Sequence, residues 1–124
     1  MLTTIATVLA GLLGVALIVM GGSAFTTPQA AVGFGIPETH ADDPAFRSWL
    51  RVKGLREIAF GLVVFVLMLV ATTPVLGWYV MVLVAVPAGD AMVVLRSGGP
   101  KATAYGVHGA TAAVMLATGI GLLV

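Results

Sequence analysis

Glu57, Asp90 and His108, three residues able to carry protons, fall inside otherwise apolar stretches of this chain. Counted from the ends of those stretches that bear the basic residues, each sits about six or seven residues in. That is ~9–11 Å along a helix rising 1.5 Å per residue. Two carboxylates and an imidazole in one layer are ingredients of general acid–base catalysis, in which one group removes a proton and another returns or relays it. Glu57, Asp90 and His108 are therefore the candidate catalytic residues. Arg56 adjoins Glu57, and helical spacing sets Trp49, Lys53, Arg56, Glu57 and Phe60 on one broad face. Ser23, in "MGGSAF", offers a hydroxyl at the matching depth, where Gly21 and Gly22 leave space. Arg56, Lys53, Trp49, Phe60, Ser23 and Tyr105 are the candidate substrate contacts.

An ionisable side chain in the bilayer costs ~2.5–3.5 kcal/mol on insertion scales, so a lone charge facing lipid is selected against. Mutual pairing offsets that cost, and Arg56 can also snorkel toward the surface. The expectation is that Arg56, Glu57, Asp90 and His108 meet inside a bundle. Two readings of such a layer stand: a ligand or proton site, or a network that only holds helices in register. Pro87, three residues before Asp90, favours the first, because proline frees a carbonyl one turn earlier and bends the helix, which opens a cavity.

The elements that must position these residues are written in the composition. Sixty per cent of the residues are hydrophobic and 9% are charged, against roughly 25% charged in soluble domains. Mean hydropathy is +1.12. There is too little polar surface to cover a soluble globule, so the reading is an all-α integral membrane protein, a four-transmembrane-helix bundle forming one domain over residues 1–124. Its helices are expected at about 3–25, 44–71, 76–97 and 102–124, with the second entering the membrane near residue 50. Asp43 can cap the second helix and Pro44 suits its first position. From Pro44 to Ala71 it would be roughly 42 Å long, more than one bilayer core, so its first two turns lie in the interface or above it. The first segment lacks a basic n-region and is longer than a signal h-region, which marks a retained helix.

Basic residues set the orientation. Arg47, Arg51 and Lys53 flank the first loop and Arg96 and Lys101 the third, whereas the second loop and both termini have none. The positive-inside rule places loops one and three in the cytoplasm and both termini outside, in a multi-pass protein of the cell membrane. Arg47 and Arg51 are expected at headgroups, and Trp49, Trp78 and Tyr79 fit aromatic belts at opposite interfaces. Gly106, Ala110, Ala113, Ala117 and Gly121 form a small-residue stripe, suited either to packing within the chain or to a homo-oligomer seam.

Several functions are excluded. A net charge of +1 points to no nucleic acid, and the absence of cysteine rules out disulfides, thiolate metal sites and a cysteine nucleophile. No phosphate loop, HExxH or nucleophile elbow occurs, so neither a cofactor nor a metal is expected. Glu38, His40, Asp42 and Asp43 in "ETHADDP" could bind a cation, but a solvated loop with a helix cap explains them better.

"KGLREIAFG", followed by the helices of Asp90 and His108, resembles the small membrane family catalogued as domain of unknown function 4267, broadly similar to DoxX-like four-helix proteins. The resemblance covers nearly the whole chain. Its motif is short: a basic residue, Gly54, Arg56, an acid at Glu57, then Gly61. Members often carry aspartate after that arginine, so Glu57 conserves the charge and lengthens the reach. The resemblance implies four helices and no established reaction. Small multidrug transporters place an essential glutamate in the first helix, which has no acid here, and fluoride channels use asparagine-bearing pores, whereas this chain has no Asn. Sterol-isomerase-like membrane enzymes, with acids and histidine in a bundle open to lipid, are the nearer physical analogy. The expected partners are thus the lipid bilayer and a lipophilic small molecule, with cofactor-independent acid–base isomerisation or cyclisation as the expected activity. The alternatives are a non-catalytic binding subunit, a proton-coupled transport subunit, or a purely structural polar network.

Overall fold

A chain this apolar satisfies its backbone polar groups within helices, since lipid offers no hydrogen bonds. The computed structural model describes residues 1–124 and contains helices and turns but no strand. Helix α1 (Leu2–Thr26) has no charged side chain. Pro28 opens a 3₁₀ helix, Pro28–Phe34, which ends at Gly35 in a left-handed conformation (φ 103°). The Asp43 carboxylate then accepts from the amides of Ala45 (3.2 Å) and Phe46 (3.1 Å), and α2 (Pro44–Val70) starts with proline in its first turn.

The third and fourth expected helices are each divided. The third consists of α3 (Thr73–Leu83) and α4 (Ala85–Arg96), joined at Val84. Pro87 has no N–H to give the Leu83 carbonyl, and its ring crowds that turn, so the regular ladder is interrupted there. The fourth begins with α5 (Lys101–Thr103), loosens into a π-helical turn over Ala104–Gly109, and resumes as α6 (Ala110–Leu123). Three segments are long and apolar enough to cross a membrane: Leu2–Thr26, Thr73–Arg96 and Lys101–Leu123. Helix α2 has the length, but Lys53, Arg56 and Glu57 interrupt its apolar run. Large apolar side chains cover the exterior, Leu69 at 85% exposure among them, as suits a surface that meets lipid rather than water.

Helices α1 and α2 run antiparallel along a glycine seam. A Cβ on Gly54 would fall 2.5 Å from the Gly21 carbonyl oxygen, and one on Gly61 2.6 Å from that of Gly14. Each helix thus brings two glycines seven residues apart to the same line, and the backbones touch. At the end away from the charges, Ala6, Ala10, Val64, Leu76, Val80, Leu83, Met115 and Leu122 form the core. There the Tyr79 hydroxyl donates to the Phe60 carbonyl (2.9 Å), tying α3 to α2. Gly121 abuts Ala6 at this end, while Gly106, Ala110, Ala113 and Ala117 stay exposed, so packing within the chain accounts for only one member of the small-residue stripe.

The opposite end is built differently. Helix α2 packs on α3 but draws away from α4, and the first loop closes over the gap. Gly35 is wedged against Val94 of α4 and Thr103 of α5, where a Cβ would come within 2.9 Å of Thr103 Cγ2. The Arg47 guanidinium Nε donates to the Ala41 carbonyl (2.6 Å) and braces the same loop. This corrects the expectation that Arg47 meets only headgroups.

Candidate functional site

The gap between the α1–α2 pair and the α4–π-turn pair is a cavity of about 500 Å³, roofed by the 3₁₀ helix. Its wall is mostly apolar, with Ala24, Ala31, Phe34, Phe46, Leu50 and Val93 among its residues, and Lys53, Glu57, Asp90 and His108 interrupt it. Of the residues singled out from sequence, these four and Ser23 line the cavity.

Each arrives by a local rule. Lys53 and Glu57 are four apart on α2, hence on one face, and their side chains form an ion pair. Glu57 is 7% exposed, so this partner is what makes its burial tolerable. The Lys53 ammonium also lies 5.2 Å from the centroid of the Phe34 ring, within cation–π range. The His108 ring stands 4.4 Å from the same Phe34 ring, tilted by 51°. His108 Nε2 is 2.8 Å from the Phe34 carbonyl oxygen. A carbonyl can only accept, so Nε2 carries the proton, and Nδ1 of a neutral ring keeps a lone pair. The π-helical turn sets the direction of this histidine, a distortion frequent at functional sites.

Asp90, half-buried on α4, makes neither a hydrogen bond nor an ion pair in the chain, although Lys53, His108 and Glu57 are all within electrostatic reach of it. The Ser23 hydroxyl donates to the Met20 carbonyl (2.6 Å), so its oxygen is left as an acceptor.

Four expected contacts are not part of the cavity. Arg56 is exposed on the outside of α2. One residue along a helix is a turn of about 100°, so when Glu57 faces inward its neighbour Arg56 is carried off the cavity. Trp49 and Tyr105 are 72% and 63% exposed. Phe60 packs against the core at the uncharged end. The meeting of Arg56 with Glu57, Asp90 and His108 therefore does not occur, and Lys53 supplies the cation. Among "ETHADDP", Asp43 spends both carboxylate oxygens on the α2 cap.

Phe34 was missed by sequence reading, although it touches both Lys53 and His108. A 3₁₀ helix of seven residues shows no amphipathic period. The available signal was the run Val32 to Ile36, with Phe34 at its centre, which is too apolar for a solvated loop.

Fold and site together define a small all-helical membrane protein with a mixed polar and apolar cavity near one end. The family model described as Domain of unknown function (DUF4267) matches residues 14–122, and the chain belongs to that family. The matched stretch includes both glycine pairs and every cavity residue. No curated protein and no solved structure matches the chain.

Proposed function

We propose that this protein crosses the membrane four times, with its charged end cytoplasmic, and that its cavity takes a lipophilic small molecule and catalyses acid–base isomerisation or cyclisation of it. The observation that carries this reading is the cavity itself. Its volume of about 500 Å³ falls within the roughly 300–1,000 Å³ of small-molecule sites, which are likewise mostly apolar with a few polar groups. A proton taken from one carbon of the substrate by Nδ1 of His108 and returned by the same nitrogen to a second carbon is an isomerisation. If the shifting electron pair closes a ring instead, it is a cyclisation. The Lys53 ammonium is placed to stabilise negative charge developing on a substrate oxygen.

The polar layer is a poor structural brace, which supports a functional reading. Its one ion pair, Lys53–Glu57, lies within a single helix, Asp90 is tied to nothing, and only His108, at the Phe34 carbonyl, joins two elements. Binding without catalysis would use the same cavity. Transport has less support, because all six basic and all five acidic residues lie in one half of the molecule.

Native mass spectrometry of protein extracted gently from its membranes tests the reading. A lipophilic molecule should co-purify with the wild type and be lost in Ala31→Trp, which fills the cavity. With that molecule as substrate, loss of a proton-transferring group in His108→Phe should lower the rate by ~10²–10⁴. Identical retention by the filled variant would sink the proposal.

A further inference from the structure

The charges in the cavity do not balance. One ammonium, Lys53, faces two carboxylates, Glu57 and Asp90, and its ion pair is with Glu57. Arg56, the other cation near enough in sequence, is turned to the outside. Asp90 thus makes no hydrogen bond and no ion pair within the protein, on a mostly apolar wall where Lys53 and His108 reach it only at longer range. A charge withdrawn from water is costly unless paired. The cavity also contains an aromatic face suited to a cation: Phe34 already has the Lys53 ammonium over its ring, and Phe46 lies in the same wall.

We infer that the ligand of this cavity is a lipophilic amine, whose protonated nitrogen is the missing counter-ion of Asp90 and whose apolar body lies against the wall formed by Phe46, Leu50 and Val93. This rests on the reading of the cavity as a small-molecule site and names the chemical class that site selects. An ammonium donates where Asp90 can only accept, and it restores neutrality to the group of four side chains. A fatty acid or other lipophilic anion would add a third negative charge instead. With Asp90 engaged as counter-ion, His108 is left as the group that moves a proton.

Three ligands of one shape separate the possibilities: 4-phenylbutylamine, 4-phenylbutanol and 4-phenylbutanoate, titrated calorimetrically at neutral pH into the full-length protein in one detergent. The amine should bind at least about tenfold more tightly than the alcohol, a preference in the range of one charge-assisted hydrogen bond, and the carboxylate should bind least. In Asp90→Asn the amine's advantage should collapse while binding of the alcohol persists. Asp42→Asn, an exposed loop acid outside the cavity, should leave all three affinities unchanged.

Equal affinity for amine and alcohol would overturn the inference and leave the cavity's role as a lipophilic site standing. So would a preference for the carboxylate, or an advantage for the amine that survives Asp90→Asn. Binding of none of the three would count against both the inference and the reading on which it rests. The wild-type comparison decides the matter by itself should the Asp90 variant fail to fold.

Discussion

Arg47 and Arg56 exchange the roles that their positions suggest. Arg56 stands next to the buried Glu57 yet is exposed, whereas Arg47, near the start of α2, reaches back to hold the loop at Ala41 (2.6 Å). Net hydrogen bonds from charged groups contribute about 1.5–3 kcal/mol. Arg47→Met should therefore release the loop over residues 36–43, with amide exchange there faster by about tenfold or more, read by hydrogen-exchange mass spectrometry. Arg56→Lys should leave unfolding unchanged within about 0.5 kcal/mol, as surface substitutions usually do. Slowed exchange in the first variant, or a large loss of stability in the second, would reverse these assignments.

At the scale of elements, the glycine seam decides how the cavity is walled. Close backbone approach of α1 and α2 at Gly21 and Gly54 turns the Lys53–Glu57 face toward α4, since Lys53, Gly54 and Glu57 lie on or beside one line of α2. Gly54→Ala and Gly61→Ala each push a methyl into backbone and should cost about 1–3 kcal/mol, the usual range for overpacking. Gly22 has open space around its missing Cβ. Gly22→Ala should be neutral or more stable by up to about 1 kcal/mol, from helix propensity alone. Unfolding of the three variants in micelles, followed by circular dichroism, ranks them. Equal behaviour at Gly22 and Gly54 would show that the seam does not hold the helices.

Over the whole molecule, charge and packing are segregated. The uncharged end contains the hydrophobic core, where the helices converge, while at the charged end the helix pairs part and a loop covers the cavity between them. A site near the loops is reached from the surface or the headgroup region without crossing the apolar half. The clustering of every basic side chain at that end favours the cytoplasm for it. The chain has no cysteine, so single thiols report the sidedness. His40→Cys should react with an impermeant maleimide only after the membrane is opened, and Thr73→Cys, beside the second loop, from outside in intact cells. The opposite pattern would invert the orientation.

Membrane character, the helical segments, the Asp43–Pro44 start of α2 and the family were all legible in the sequence. Each depends on averaged hydropathy or on contacts between residues a few positions apart. The depth of Glu57, Asp90 and His108 could also be counted, because helical rise is constant. The rotation of each helix could not. Lys53 and Arg56 are basic residues three apart on α2, and hydropathy does not tell which one faces inward. Gly14 and Gly21 of α1 decide it, by admitting only the glycine-bearing line of α2. The roof escaped notice for a related reason. Phe34 gains its place from His108, seventy-four residues away in the chain, and no local pattern records a contact of that span.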